Sequence, residues 1–184
     1  MSVHPTTVEL EAGLDHVRAA PRDGGTLDLL VRRPAPDERE VLDWGVVDPD
    51  VGLVGDSWLA RSSIRTEDGR AHPDMQLNVM SSRVADLVAG GARERWPLAG
   101  DQLFVDLDLS GASLPAGTRL GIGSAVIEVT DQPHRGCAKF ARRFGPDALR
   151  LVNSEVGQAL NLRGVCARVV HGGVVRPGDL VRRA

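Results

Sequence analysis

The stretch Asp101–Thr130, DQLFVDLDLSGASLPAGTRLGIGSAVIEVT, carries the clearest fold signal in the sequence. Its first ten residues alternate apolar and polar side chains, and a second strand-like run, TRLGIGSAVIEVT, follows the turn GASLPAG. Apolar–polar alternation bounded by Gly- and Pro-rich turns is typical of short strands with one buried face. Strands this short, with such connections, favour a β-barrel over an open parallel sheet.

Further strand patterns lie on both sides of this stretch. They are TLDLLVRR at 26–33, MQLNVM at 75–80 and GVCARVV at 164–170. After the last of these, the turn HGG and the run VVRPGDLVRR at 174–183 predict a closing hairpin. The strand candidates therefore extend from the first fifth of the chain to its end.

Helical patterns lie between the strands. Residues 8–20 predict a helix capped by Thr7 or its neighbour, and residues 81–91 predict a second helix between a serine and a Gly pair. Asp37 and Glu40 have the spacing of a capping box, which predicts a short helix that ends at Gly45. Residues 137–163 form a mainly helical insertion, with Pro146 at a first helical turn.

These elements predict a mixed α/β protein with a β-barrel core. We expect one domain over residues 1–184, a size that buries a substantial core. Residues 1–50 are assigned to an N-terminal helix and strand elaboration, and residues 51–184 to the barrel core.

Composition excludes several classes of protein. A net charge of −3, an aromatic content of 3% and the absence of Tyr argue against a nucleic-acid partner. No apolar run has the length of a membrane span, and the start MSVHPTTVELEAG lacks the features of a secretory signal. We therefore expect a cytoplasmic protein, with no membrane partner and with reduced thiols.

Familiar catalytic patterns are missing from the sequence. There is no G-x-S-x-G elbow, C-x-x-C pair, H-E-x-x-H helix or P-loop lysine. Two distant cysteines and scattered histidines do not make a structural zinc site. The chemistry must therefore come from another feature.

That feature is PHRGCAKF at 133–140, which places one cysteine among cations. Residues 132–168 hold seven basic and two acidic side chains, so positive charge collects here although the whole chain is acidic. Lys139 is also the only lysine of the protein. Cys137 is therefore the candidate reactive thiol, whereas Cys166 lies in an apolar strand pattern typical of a core residue.

The surroundings of Cys137 favour a thiolate. A helix N-terminus stabilises an anion by about 0.3–1 kcal/mol, which is less than about one pKa unit. A neutral pKa therefore requires the nearby cations Arg135 and Lys139, or a protonated His134, as well. Gly136 is expected to leave the backbone open to an approaching ligand.

With these motifs in place, the second half of the chain resembles the MOSC domain, the fold of the C-terminal region of molybdenum-cofactor sulfurases. The resemblance runs from GLVGD at 52–56 to the C-terminus, through PHRGCAKF and LRGVCARVVHGGVVRPGDLV. It implies a MOSC-type barrel with a cysteine at the mouth of a cleft, here Cys137.

The resemblance also implies roles for individual residues. Cys137 would carry a persulfide or ligate molybdenum. A second group would hold its negative charge or bind a cofactor phosphate, and it comprises His134, Arg135, Lys139, Arg163 and Arg61.

Three functions remain open. The first is a sulfur carrier or transferase, loaded by a cysteine desulfurase or another sulfur donor, with any pyridoxal phosphate held by that partner. The second is a module that binds molybdenum cofactor (molybdopterin) and reduces N-hydroxylated compounds. The third is a non-catalytic barrel that binds a small anionic ligand or a protein.

Overall fold

The structure is a computed structural model that describes residues 4–184. Its strands are β1 (Gly25–Arg32), β2 (Glu40–Leu42), β3 (Gly45–Asp48), β4 (Gly52–Leu53), β5 (Leu77–Ser81), β6 (Leu103–Asp106), β7 (Arg119–Ile122), β8 (Ala125–Val129), β9 (Val165–His171), β10 (Gly173–Val175) and β11 (Leu180–Arg183). Its α-helices are α1 (Thr7–Ala12), α2 (Leu14–Arg18), α3 (Ser82–Ala89), α4 (Ala138–Phe144), α5 (Pro146–Asn153) and α6 (Glu155–Ala159). Short 3₁₀ helices span Ser57–Ala60, Pro73–Met75 and Arg93–Ala99.

Seven strands close into a barrel in the order β11-β7-β8-β9-β5-β6-β1, and β1 pairs back onto β11. The β5–β6 pair is parallel and the other barrel pairs are antiparallel. The predicted mixed α/β fold with a barrel core is therefore confirmed. One barrel strand, β1, comes from the segment 1–50 that the sequence assigned to an elaboration.

The barrel has an apolar core on each side of its wall. On β6, Leu103 and Val105 belong to the cluster inside the barrel, whereas Phe104 belongs to the cluster packed under the helices. Successive side chains of a strand point to opposite faces, so this strand is buried on both. The helices thereby cover one side of the barrel, and α4 and α5 belong to that cover.

The local helix signals were largely correct, although Gly13 divides the single helix predicted over residues 8–20 into α1 and α2. Thr6 caps α1 in a capping box with Glu9, and Gly90, with φ of 66°, ends α3 in the left-handed conformation. The predicted helical insertion at 137–163 contains α4, α5 and α6.

The predicted helix at Asp37–Gly45 was wrong. Asp37 adopts a positive φ of 62°, and Glu40 begins strand β2, which pairs with β1. The Glu40 carboxylate accepts hydrogen bonds from Arg32 across that pair, at 2.9 and 2.6 Å. Pairing with a long strand thus replaces the local capping interaction.

The predicted C-terminal hairpin was also wrong. Strand β10 pairs with β3 in a separate three-stranded sheet, whereas β11 pairs with β1 and β7 in the barrel. Pro177 and Gly178, with φ of 94°, turn the chain between them, and the Asp179 carboxylate accepts the Arg176 N–H at 2.7 Å. The run 174–183 therefore contributes to two sheets.

None of the helices within residues 4–184 has the length and apolar character of a membrane-spanning segment.

Candidate functional site

Cys137 lies at the N-cap position of α4, in extended backbone conformation, and is exposed. Its carbonyl accepts the Ala141 N–H at 3.1 Å, which closes the first turn. The preceding residue, Gly136, is held by Asn153, whose side chain accepts from its N–H at 2.9 Å and donates to its carbonyl at 3.0 Å. Local geometry therefore fixes the backbone that presents the thiol.

The pKa of the Cys137 thiol lies below its ordinary value. Partial burial alone would raise it, but the backbone N–H groups of Phe140 and Lys139 and the guanidinium groups of Arg163 and Arg143 outweigh that effect. The thiol makes no capping hydrogen bond to the helix, so its stabilisation comes from nearby dipoles and charges. The surroundings favour a thiolate, but the cations that lower the pKa are Arg163 and Arg143, whereas the sequence analysis named Arg135, Lys139 and a protonated His134.

The thiol opens onto a cleft of about 370 Å³ in which cations are the largest group of lining side chains. Six of its lining residues are basic, namely Arg33, Arg39, Arg61, Lys139, Arg143 and Arg163. The other lining residues are Pro36, Asp37, Asn78, Ala99, Gly100, Cys137 and Phe140. We call this cavity the cysteine cleft.

Arg163 is a buried cation of the cysteine cleft. Its Nη1 lies 2.6 Å from Asp101 Oδ2 and its Nη2 donates to the Ala99 carbonyl at 2.9 Å. Its guanidinium also lies over the Phe140 ring, 5.1 Å from the centroid. The Nε atom is buried without a hydrogen-bond partner within residues 4–184.

Asp101 joins Arg163 to His134, whose Nε2 lies 2.9 Å from Asp101 Oδ1. Burial would raise the pKa of Asp101, but Arg163 and His134 lower it to about 2. Burial and Arg163 lower the pKa of His134, which is therefore neutral near pH 7. Because ionised Asp101 only accepts hydrogen bonds, the His134 Nε2 carries the donated proton.

Arg33 is held in a second buried pair. Its Nη2 and Nε lie 2.8 and 2.9 Å from the Asp56 carboxylate, and its Nη1 donates to the Gly100 carbonyl at 2.9 Å. Burial would raise the pKa of Asp56, and its bonds to Arg33 lower it. Both side chains are almost fully shielded from solvent.

The two buried pairs share a sequence signal that the sequence analysis did not use. Each carboxylate follows a glycine with positive φ, Gly55 at 82° and Gly100 at 89°. The left-handed turn carries the next residue, Asp56 or Asp101, beneath the barrel wall. Both supporting carboxylates thus follow a Gly-Asp pattern, which Gly178 and Asp179 share although the Asp179 carboxylate accepts only the Arg176 N–H, at 2.7 Å, within residues 4–184.

On the open side of the cleft, one carboxylate contacts two cations. Asp37 Oδ1 lies 2.6 Å from Arg143 Nη2 and 3.5 Å from Lys139 Nζ. Lys139 and Arg143 lower the pKa of Asp37 below its ordinary range, and they outweigh the effect of burial, which raises it. Asp37 thus partly neutralises the helix that carries Cys137.

Arg39 and Arg61 have no carboxylate within ion-pair distance in the described part of the chain. Burial lowers the pKa of each, and neighbouring arginines lower it further. Six cations against the carboxylates Asp37, Asp56 and Asp101 leave the cleft a net charge of +3. Such a field attracts anions, although the whole chain carries −3.

The structure brings four of the six candidate residues into one cleft. Cys137, Lys139, Arg163 and Arg61 line it together. His134 and Arg135 instead line a separate cavity of about 570 Å³ that Cys137 does not line. His134 supports the cleft from behind through Asp101, and Arg135 is exposed, without an ion pair to residues 4–184.

The expectation that Gly136 leaves room for a ligand was wrong. A Cβ at this position would lie 2.7 Å from Leu149 and 2.9 Å from Val152. Side chains of α5 therefore occupy the space beside Gly136. The glycine allows α5 to pack closely against the Cys137 loop.

Cys166 lies in β9 and is fully buried. Burial, and then the charge of Asp101, raises the pKa of its thiol to about 12. Its Sγ contacts Asn78 Oδ1 at 3.7 Å. The assignment of Cys166 to the core is confirmed.

Three lining cations had no individual role in the sequence analysis. Arg33 and Arg39 flank the β1–β2 connection, and Arg143 entered only the charge count. Residues 4–184 contain no group of three His, Cys, Asp or Glu side chains placed to hold a metal ion by themselves.

Comparisons with known proteins agree with this architecture. The MOSC domain family model matches residues 68–182, which is more than half of the chain. No match was found among curated proteins.

Solved structures with the same fold include the YUAD protein from Bacillus subtilis, with 19% identity and a TM-score of 0.65 over 85% of this chain and 93% of that one. YiiM from Escherichia coli has 19% identity and a TM-score of 0.56 over 86% of this chain and 69% of its own. YiiM from Geobacillus stearothermophilus has 16% identity and a TM-score of 0.51, covering 90% and 74%.

Identities this low establish a shared fold and leave the activity to the site itself. The barrel, the helical insertion with its cysteine and the family match over residues 68–182 agree: the chain belongs to the MOSC domain family.

Proposed function

We propose that this protein is a sulfur carrier that holds a sulfane sulfur on Cys137 as a persulfide, in chemistry linked to molybdenum cofactor or another sulfurated metal centre. The observation that supports it best is the placement of an exposed thiol on a cleft with a net charge of +3. Thiolate and persulfide are both anions, so the same field stabilises the carrier before and after loading.

The loading step is a thiol–persulfide exchange. The Cys137 thiolate attacks the outer sulfur of a donor persulfide, a new S–S bond forms at Cys137, and the donor's S–S bond breaks. The electron pair leaves on the donor's inner sulfur as a thiolate, and the transferred sulfur keeps its proton or loses it to solvent. No oxidant is required, because one S–S bond replaces another.

Residues of the cysteine cleft have separate tasks in this proposal. Arg163 and Arg143 stabilise the thiolate, in keeping with their effect on its pKa. Asp101 holds Arg163, and Asn153 fixes the Gly136 backbone next to the thiol. Arg39 and Arg61, which have no carboxylate partner among residues 4–184, bind the charged part of an acceptor.

The donor in this proposal is a separate cysteine desulfurase, which holds its own pyridoxal phosphate. A reducing cytoplasm would keep both cysteines as free thiols, ready for loading.

The test is to incubate the purified protein with a cysteine desulfurase and cysteine and to measure intact mass. We expect a gain of one sulfur atom that dithiothreitol removes, in the wild type and in Cys166→Ser but not in Cys137→Ser. Sulfur found on Cys166, or no gain in the wild type, would contradict the proposal.

A second function, binding of molybdenum cofactor, is favoured by the number of cations in the cleft. The cleft has six basic side chains, which is more than the single negative charge of a persulfide requires. In addition, Arg163 Nε is buried without a hydrogen-bond partner in the described residues. The donor set fits the group, since arginines bind phosphate and a thiolate suits a soft metal centre. Bound there, the cofactor would supply two-electron redox chemistry for reduction of N-hydroxylated compounds.

In that case Cys137 would face the metal, and Arg33, Arg39 and Arg61 would bind the phosphate. Elemental analysis and pterin fluorescence of protein purified from a host that makes the cofactor test this second function. Stoichiometric molybdenum and pterin that are lost in Cys137→Ser would support it, and metal-free protein that takes up no cofactor would exclude it.

A further inference from the structure

Asp37 differs from the other two carboxylates of the cysteine cleft. The side chains of Asp56 and Asp101 have 0% exposure, whereas that of Asp37 is 63% exposed. A ligand cannot displace Asp56 or Asp101, because each arginine partner would be left buried without a counter-ion. Asp37 faces solvent and is free to leave its partners.

The partners of Asp37 lie on the helix that carries the thiol. Its Oδ1 contacts Arg143 at 2.6 Å and Lys139 at 3.5 Å, both on α4. Arg143 is also oriented by the Leu98 carbonyl, to which its Nη1 donates at 2.8 Å. Arg143 would therefore keep its position if Asp37 moved away.

The loop that carries Asp37 is anchored at its two ends, where Arg33 pairs with Asp56 and Arg39 Nε donates to the Pro97 carbonyl at 3.1 Å, and it is exposed at its tip. It connects β1 to β2 between Arg32 and Glu40, and Asp37 adopts a positive φ of 62° within it. Exposed ion pairs are weak because water competes for both partners. Displacement of Asp37 therefore has a modest energetic cost.

We propose that Asp37 is a specificity-determining residue of the cleft, an internal counter-ion that occupies Lys139 and Arg143 until an anion of higher charge replaces it. This inference rests on the proposed function, since it concerns the ligand of the same cleft. A singly charged anion gains little by exchanging with a carboxylate, whereas a multiply charged one also reaches Arg39 and Arg61. The ligand class is thus a small polyanion of the phosphate or phosphoester type.

The test is the affinity of the purified protein for inorganic pyrophosphate, measured by calorimetry at low ionic strength. Asp37→Asn removes the competing charge, and asparagine tolerates the positive φ at this position. We expect this variant to bind pyrophosphate about tenfold more tightly than the wild type, in line with the loss of two exposed ion pairs. Nitrate, a singly charged probe, should bind weakly to the wild type. The Asp37→Asn substitution should increase its affinity less than it increases the affinity for pyrophosphate.

The matched control is Glu38→Gln, which removes the same charge from the next residue. The Glu38 side chain is exposed and makes no ion pair within residues 4–184, so its loss should leave the affinity within about twofold of the wild type. Equal affinities of Asp37→Asn and wild type, an equal gain in Glu38→Gln, or no detectable pyrophosphate binding in any variant would overturn the inference.

These outcomes are separate from those of the sulfur-carrier test. If Asp37→Asn tightens pyrophosphate binding while Cys137 never accepts sulfur, the counter-ion role stands and the carrier proposal fails. If Cys137 accepts sulfur and Asp37→Asn leaves pyrophosphate binding unchanged, the reverse holds.

Discussion

At the scale of single residues, the site depends on charges that are buried in pairs. Asp101 is fully buried and holds Arg163, whose positive charge helps to lower the pKa of Cys137. A buried carboxylate is tolerated here because the guanidinium and an imidazole N–H compensate it. Asp101 therefore acts on the thiol through Arg163, as a positioning residue.

Replacing Asp101 with asparagine should destabilise the protein by about 3–5 kcal/mol, because Arg163 would remain buried without its counter-ion. Urea unfolding at pH 7 measures this loss. Asp131→Asn is the matched control, since Asp131 is exposed and its carboxylate bonds only to Gln132 among the residues that the structure describes. We expect a change of about 0.5 kcal/mol or less.

The same ion pair gives the stability a defined pH dependence. Since the pKa of Asp101 is lowered from 3.8 to about 2, its contribution is full above pH 3.8 and is lost as the pH falls toward 2. The acid-induced loss of stability in this window should be smaller in Asp101→Asn than in the wild type. A variant with the same acid profile and the same free energy of unfolding would contradict this role.

At the scale of elements, the thiol is positioned by the packing of α5 against the Cys137 loop. Asn153 at the end of α5 bonds both backbone groups of Gly136, and Leu149 and Val152 fill the space beside it. The loop and the two helices therefore behave as one unit. The position of Cys137 depends on that unit as well as on α4.

Gly136→Ala should cost about 1–3 kcal/mol of stability, because its methyl group would overlap Leu149 and Val152. Thermal or urea unfolding measures the loss. The control is Gly111→Ala, where the nearest atom to the new Cβ is 3.9 Å away. An equal effect of both substitutions would show that the packing at Gly136 is not required.

Local sequence patterns were sufficient to predict most helices and strands. They failed where pairing with a strand distant in the sequence determines the structure. Alternation found β1 and β6, an apolar run found β9, and caps found α1 and α3, because these patterns depend on neighbouring residues. The Asp37–Glu40 spacing misled because pairing of β2 with β1 outweighs a capping box. The same limit explains why Cys137 was found from its own segment, whereas Arg33 and Arg39, far away in sequence, were not.

At the scale of the whole molecule, the cysteine cleft exists only in the closed barrel. Arg33 follows β1, Arg61 follows the 3₁₀ helix Ser57–Ala60, and Arg163 precedes β9. The family match begins at residue 68, so Arg33, Asp37, Arg39 and Arg61 come from outside the matched segment. Folding thus collects positive charge around the thiol in a chain whose net charge is negative.

This assembled positive field lowers the pKa of the Cys137 thiol below its ordinary value, so that more of it is thiolate at a given pH than in the unfolded chain. The most direct measurement is the rate of iodoacetamide alkylation of each cysteine as a function of pH, followed by mass spectrometry of the folded and the urea-unfolded protein. In the folded protein we expect Cys137 to react with a midpoint below the ordinary thiol value of 9.0 and Cys166 to stay unreactive, in keeping with its pKa of about 12. In urea the two cysteines should react alike, and a folded-state midpoint for Cys137 at or above 9.0 would contradict the account.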